Sequence, residues 1–219
     1  MRHRPILAFC FAALFAALLL PSPAAAQDGL VVDRVVARIE NDIITLSDVQ
    51  ELAAYQRLAG RQPAQPPELL RELIDQWIVA NDAAAARFAP PPPQQVDAEF
   101  SALQNQVGTP QQFAARLRSL GLTEPGIRRI IAKQILEDSY IEYKFRAVAR
   151  VEPGAVERYY HDEFVPQLHA RHQPVPPLDD VRDSITDLLL ERDITRRSQL
   201  WIDQTRAQLD IEIFPENPS

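Results

Sequence analysis

The chain has few of the residues that usually carry catalytic, redox or metal-binding chemistry. Its 219 residues include one cysteine, Cys10, one methionine, Met1, and six glycines, and they contain no glycine-rich phosphate-binding loop. A single cysteine excludes an internal disulfide and a zinc site built from several thiolates. The protein must therefore be held together by a hydrophobic core, which a chain of this length can bury.

The first residues have the order of a secretory signal peptide. Arg2 and Arg4 precede an apolar run at residues 6–20, and small residues follow at 24–26. We predict cleavage at that point, which makes residues 1–26 a signal peptide and places the mature protein in the periplasm. An uncleaved anchor is the alternative, but the apolar run would form a helix of roughly 22 Å, shorter than the roughly 30 Å hydrocarbon core of a bilayer. We therefore expect no stable membrane insertion after cleavage.

Once the signal segment is removed, the chain has an excess of negative charge. Loss of Arg2 and Arg4 leaves 21 basic against 30 acidic side chains, a net charge of −9. Such a surface disfavours nucleic acid and anionic lipid as partners. Cys10 and Met1 are lost as well, so the mature chain has neither residue.

Hydrophobic patterning predicts a helical protein with strands only at its ends. Residues 31–45 are typical of a β-hairpin with its turn at residues 40–42, and Ser47 is predicted to cap the helix that follows. Apolar residues at helical spacing then predict further helices over these segments: 68–88, 96–107, 109–121, 123–148, 153–166 and 179–209.

Prolines and a final strand organise the last third of the chain. We predict that the helix starting near Pro153 breaks near Pro166 and that residues 173–177 form a proline-rich linker. Residues 211–214 alternate as expected of a half-buried strand. Because a lone strand needs a partner, we expect the two ends of the chain to meet in one small sheet.

Residues 32–49 form an opening motif with the sequence VDRVVARIENDIITLSDV. This motif resembles that of the N-terminal domain of the SurA family, whose members are periplasmic chaperones of outer-membrane proteins. Further segments similar to the family occur at 70–78, 120–122, 189–191, 201–206 and 211–213. The resemblance implies a mainly α, multi-helix chaperone domain over residues 27–219. It also implies a small β-sheet formed by the N-terminal hairpin and the C-terminal strand.

One departure from the family concerns its isomerase modules. Relatives with peptidyl-prolyl isomerase activity carry parvulin modules, and residues 150–178 are the place where such a module would be inserted here. This interval is too short for one, and the mature chain lacks the cysteine and methionine that parvulin sites use. We therefore predict a protein that is not an enzyme, with no catalytic residues, cofactor or bound metal.

The resemblance implies an ATP-independent chaperone that binds unfolded or outer-membrane polypeptides through an apolar groove. We expect the groove to be bounded by the predicted helices 68–88, 123–148 and 179–209. Six aromatic residues are candidates for contact with the bound polypeptide: Trp77, Tyr140, Tyr143, Tyr159, Tyr160 and Phe164. Ordinary core packing is the competing explanation for most of these rings, although two adjacent tyrosines cannot point equally inward on a helix.

Two other functions and one metal site are alternatives to this interpretation. A degenerate prolyl isomerase and a dedicated partner subunit for one envelope protein are the alternative functions, and the oligomeric state is left open. His169 and His172 stand near His161, Asp162 and Glu163, but their spacing matches no metal motif, so we interpret them as surface residues.

Overall fold

The computed structural model describes residues 33–214, so the predicted signal peptide lies outside the described residues. The strands are β1 (Val35–Ile39), β2 (Asp42–Thr45) and β3 (Ile211–Ile213). The helices are α1 (Leu46–Leu58), α2 (Pro66–Ala85), α3 (Pro93–Val107), α4 (Pro110–Leu120), α5 (Glu124–Phe145), α6 (Ala155–Tyr159), α7 (Val165–Ala170) and α8 (Leu178–Arg206), with a π-helical turn at Tyr160–Phe164 between α6 and α7. Over residues 33–214, none of these helices is both long and apolar enough to span a bilayer.

The two ends of the described chain meet in one antiparallel sheet, in the strand order β2-β1-β3. Arg38 on β1 lies opposite Glu212 on β3 and contacts both Glu212 and Asp210 at 3.2 Å. The backbone adds a further link, because the amide of Glu40 donates to the carbonyl of Asp210 at 3.0 Å. The predicted junction of the chain ends is therefore confirmed.

Burial across the sheet is uneven. Ala37 and Ile39 on the central strand are fully buried, whereas Ile213 on β3 is 58% exposed. The half-buried pattern predicted for the last strand thus fails at Ile213. The reason is that β3 is an edge strand of only three residues. Ile211 at its start is partly buried, whereas Ile213 at its end is exposed.

Capping residues determine where most of the helices begin and end. Thr109 and Thr123 cap α4 and α5 as predicted, and Gly121 ends α4 with a left-handed φ of 67°. The prediction for α1 was wrong: Thr45, not Ser47, is the cap. Thr45 and Asp48 form a capping box in which each side chain accepts a hydrogen bond from the backbone amide of the other, at 3.3 and 2.8 Å.

The helix predicted to break near Pro166 instead continues past it. The chain passes from α6 through the π-helical turn into α7, and the amide of Val165 donates to the carbonyl of Tyr160, five residues earlier. Pro166 then lies in the first turn of α7, where a residue without an amide hydrogen is tolerated. The wider turn therefore absorbs the proline without ending the helix.

The core consists of three clusters of buried side chains. The first joins the sheet to α1, α2, α5 and α8, and the second joins α1 to α3, α4 and α5. A smaller third cluster lies between α6 and α8. The largest side chains with almost no exposed surface are Ile39, Leu69, Ile78, Val79, Phe113 and Ile127. Burial of each of these side chains contributes about 2 kcal/mol to the stability of the fold.

A buried carboxylate ties α8 to the segment that follows α5. Asp193 accepts hydrogen bonds from the Arg197 guanidinium at 2.6 Å and from the backbone amide of Arg150 at 3.0 Å, and Arg196 also contacts it. The Arg197 hydrogen bond, aided by the Arg150 amide and by Arg196, lowers the pKa of Asp193 to about 2. The contact fixes the point at which the chain leaves α5 for α6.

Candidate functional site

The six aromatic residues predicted to contact a bound polypeptide fall into two separate clusters. Trp77 and Tyr140 pack in the first core cluster, and Tyr143 joins them through its ring contact with Tyr140. Tyr159, with Tyr160 and Phe164 packed against it, belongs to the third cluster. The structure thus brings the six residues together in two groups of three.

Polar contacts hold the inner members of the first group in place. The indole Nε1 of Trp77 donates to Asp42 at 2.8 Å. Tyr140 is 3% exposed, and its hydroxyl donates to Asp82 at 2.6 Å, where Lys144 also donates at 2.5 Å. Burial alone raises the pKa of Asp82, but the hydrogen bonds from Lys144 and Tyr140 outweigh it and leave this pKa below its ordinary value. The carboxylate is therefore charged and anchors both partners.

Phe88 completes an aromatic patch that we define by Phe88, Tyr140 and Tyr143. Its ring lies 5.3 Å from that of Tyr140 and 5.2 Å from that of Tyr143. Phe88 reaches this position because α2 ends in a turn at Arg87, whose φ is 54°, and the Phe88 amide donates back to the carbonyl of Ala83 at 2.9 Å. Sequence reasoning missed Phe88, since glycine usually marks such a turn and here arginine occupies the position.

Tyr143 is the exposed member of the aromatic patch, with 66% of its surface accessible. Two other large apolar side chains are about half exposed. Val148, just after α5, is 49% exposed, and Leu200 on α8 is 50% exposed. Lys144 lies beside Tyr143 in the chain and sits over the Trp201 ring at 4.3 Å, which holds the end of α5 against α8. An exposed ring on a rigid base is a feature suited to binding apolar side chains.

The second aromatic group is more enclosed. Tyr159 is 8% exposed with the Arg192 guanidinium 4.8 Å above its ring, and Arg192 also pairs with Glu163 at 3.1 Å. Tyr160 is half-buried, stacks on Phe164 at 5.9 Å, and donates its hydroxyl to the carbonyl of Pro176 at 2.7 Å. These rings hold the proline-rich linker against the π-helical turn.

A cleft of about 420 Å³ opens elsewhere, between α1, α3 and α5. The three helices expected to bound a groove, α2, α5 and α8, instead pack against one another in pairs and share the first core cluster. The cleft is lined by three short stripes of residues: Tyr55 and Ala59 at the end of α1; Gln95, Glu99, Ala102, Leu103 and Gln106 on α3; Ile131, Gln134, Ile135, Asp138 and Ser139 on α5.

Carboxylates on α5 and α2 lie close enough to affect one another, and one of them, Asp138, lines this cleft. Burial raises the pKa of Glu137 to about 7, and the nearby charges of Asp138, Glu72 and Asp75 add to the effect. Burial also raises the pKa of Asp138. Glu72 accepts a hydrogen bond from Gln56 at 3.0 Å, whereas Glu137 has no hydrogen bond or ion pair among residues 33–214. The contact between α2 and α5 therefore includes a carboxyl group that titrates near neutral pH.

The histidines considered as metal ligands lie near the end of α7. His169 is in its last turn, and His172, with a φ of 53°, follows it and contacts the carbonyl of His169 at 3.2 Å. In the part of the chain that the structure describes, no three histidine, cysteine or acidic side chains are grouped as metal ligands would be.

Comparison with known proteins identifies a structural relative. No family model matches the chain, and no curated protein matches its sequence. A solved chain from Campylobacter jejuni aligns with a TM-score of 0.51 and 11% identity, over 84% of this chain and 100% of that chain. It belongs to the pair formed by the virulence factor PEB4 and the periplasmic protein Cj1289, which are described as structurally related SurA-like chaperones. The chain thus has the mainly α fold of a SurA-like domain, which confirms the fold class predicted from its sequence.

Proposed function

We propose that this protein is a periplasmic, ATP-independent chaperone that binds unfolded or outer-membrane polypeptides and keeps them from aggregating. The observation that carries the proposal is the exposed ring of Tyr143, which packs against the half-buried Phe88 and the buried Tyr140. The shared fold with the SurA-like chaperones of Campylobacter jejuni supports it. Because Phe88 and Tyr140 already hold the Tyr143 ring in place, little side-chain entropy is lost when an apolar segment binds to that ring.

Binding by this surface would be weak and reversible. A single exposed ring and a few half-exposed aliphatic side chains offer only part of the area that a stable protein complex buries. Apolar side chains of a client would lose contact with water against Tyr143, while the net charge of −9 left after signal cleavage would keep the complex soluble. A client could then leave without any input of chemical energy.

The proposal includes the absence of isomerase activity. Residues 150–178, where a parvulin module would be inserted, form α6, the π-helical turn, α7 and the linker, and Tyr160 fastens the linker through Pro176. We expect cis–trans isomerisation of a proline-containing tetrapeptide to run at its uncatalysed rate in the presence of the protein. Catalysis that saturates with substrate would favour the isomerase alternative instead.

Replacing the exposed ring tests where clients bind. We expect Tyr143→Ser to suppress the aggregation of a denatured outer-membrane protein several-fold less well than the wild type, as followed by light scattering. Ile43→Ser is the matched control, because Ile43 is 57% exposed but lies on the sheet and outside the aromatic patch. Equal losses in both variants would show that general surface apolarity, and not the aromatic patch, is responsible.

A pull-down from envelope extract tests how many clients there are. A chaperone should retain many polypeptides weakly, each at less than stoichiometric amount. One stoichiometric partner would contradict the proposal and favour a dedicated partner subunit.

A further inference from the structure

The cleft between α1, α3 and α5 has an apolar floor. Leu103, Ile131 and Ile135 line it and are 4–9% exposed, so that only a small part of each side chain faces the opening. Tyr55 adds its ring at the α1 end and is 7% exposed. An aliphatic side chain that entered the cleft would therefore find packed hydrocarbon beneath it.

Amides form the rim of the cleft. The Tyr55 hydroxyl donates to the Gln134 side-chain oxygen at 2.9 Å, and the Gln106 amide nitrogen donates to the carbonyl of Ala59 at 3.3 Å. This leaves the Gln134 amide nitrogen and the Gln106 amide oxygen without a partner within residues 33–214. Gln95, also on the rim, is exposed. Free donors and acceptors of this kind match the amide and carbonyl groups of an extended backbone.

The charge of the cleft is negative on two of its walls. Glu99 lies on the α3 wall and Asp138 on the α5 wall, and neither makes an ion pair within residues 33–214. The nearby Arg128 pairs with Asp97, outside the cleft. At the α1 end the positive charge of Arg61 lowers the pKa of Tyr55, although burial leaves this pKa above its ordinary value. The α3 and α5 walls are therefore complementary to a cation.

We propose that this cleft binds a short extended peptide segment whose aliphatic side chains are flanked by lysine or arginine. The proposal rests on the proposed function for the source of the segment, an unfolded polypeptide. The stripe from Gln95 to Gln106 rises roughly 16 Å along α3 at about 1.5 Å per residue. An extended chain covers that distance with about five residues. The aliphatic residues pack on the floor, and the cationic residues approach Glu99 and Asp138.

Fluorescence polarisation with a labelled pentapeptide, lysine-valine-leucine-valine-lysine, tests this assignment directly. We expect the wild type to bind it at least tenfold more tightly than the same peptide with glutamate in place of lysine. The preference should shrink as salt is added, because Glu99 and Asp138 on the cleft walls are exposed to solvent. The combined variant Glu99→Gln and Asp138→Asn should lose most of the preference while still binding the peptide core.

Filling the cleft provides the second arm. Ala102 lines the cleft and is exposed, so Ala102→Trp should block peptide binding without disturbing the core. Ala98→Trp is the matched control, because Ala98 is also exposed on α3 but does not line the cleft. Circular dichroism on both variants establishes that they fold. Equal peptide binding by the two variants, or equal affinity for the lysine and glutamate peptides, would overturn the assignment of the cleft.

A parallel aggregation assay separates this proposal from the proposed function. If the wild type binds the lysine peptide and Ala102→Trp does not, the cleft assignment holds. If in addition neither protein suppresses aggregation, the chaperone proposal alone fails. If the wild type suppresses aggregation but does not bind the lysine peptide at millimolar concentration, the cleft assignment fails and the chaperone proposal stands.

Discussion

Replacing Glu137 by glutamine should stabilise the protein, but only at a pH high enough for Glu137 to ionise in the unfolded chain. Glu137 lies at the contact between α2 and α5, where burial and the charges of Asp138, Glu72 and Asp75 raise its pKa to about 7 from 4.5. The folded protein therefore favours the protonated form more strongly than the unfolded chain does. Arg206 nearby is held by Asp75 and Asp203, and the charges that shift the pKa of Glu137 are those of acidic side chains.

The sign and size of the effect follow from linkage. Below about pH 4.5 Glu137 is protonated in both states, so the wild type and Glu137→Gln should be equally stable. Between that pH and about 7 the unfolded chain ionises first, and the wild type loses stability. A shift of this size corresponds to about 3 kcal/mol, and solvent that reaches the half-buried group will reduce it. Above pH 7 the difference should stay constant.

Urea unfolding followed by far-UV circular dichroism across this pH range measures the difference. Glu191→Gln is the control, because Glu191 is exposed on α8 and has no ion pair among the described residues. We expect that variant to follow the wild type at every pH. A Glu137→Gln effect that is independent of pH, or one that Glu191→Gln reproduces, would refute the assignment of the raised pKa to the α2–α5 contact.

Three further substitutions test the packing around the candidate site. Asp193→Asn removes a carboxylate whose pKa is lowered to about 2, so it should destabilise the protein at neutral pH, by about 2 kcal/mol at most because solvent screens the contacts. Acid titration should erase the difference as the wild-type carboxyl becomes protonated. Tyr140→Phe deletes the hydroxyl that donates to Asp82, so it should lower the free energy of unfolding by about 1–2 kcal/mol. Urea unfolding measures this change. An unchanged free energy of unfolding would mean that the hydrogen bond from Lys144 alone satisfies the carboxylate. Ile78→Val in the first core cluster should cost about 1 kcal/mol in the same assay, and a negligible change would contradict tight packing there.

Local signals explain why much of the fold was predictable from the sequence. Thr109 and Thr123 each precede a proline in the first helical turn, and Gly121 follows the last residue of α4, so these boundaries depend on residues that are adjacent in the chain. The pairing of the two chain ends was predictable because the final hydrophobic strand has no other predicted strand near it in the sequence. It did not require any knowledge of how the helices pack.

The failed predictions depend on competition or on distant contacts. Thr45 and Ser47 are both good caps, and Thr45 is used because Asp48 stands three residues after it and completes the reciprocal pair. Pro166 is a strong helix breaker in isolation, and only the π-helical turn before it lets the chain continue. Neither outcome can be read from residue type alone.

The candidate site was the least predictable feature. Its aromatic residues were visible in the sequence, but the buried state of Tyr140 and the exposure of Tyr143 depend on how α5 faces α2. Phe88 joins them only through the turn at Arg87. The cleft needs three helices at fixed positions, and its lining residues follow ordinary helical spacing on each one. No single segment could indicate that the three stripes face a common space.

Light scattering by an outer-membrane protein diluted from urea tests the chaperone proposal most directly. The wild-type protein, at several-fold molar excess and without ATP, should slow the rise in scattering in proportion to its concentration. An unrelated acidic helical protein of similar size should have no such effect. If the wild type leaves the rise unchanged at the same excess, the chaperone proposal is contradicted.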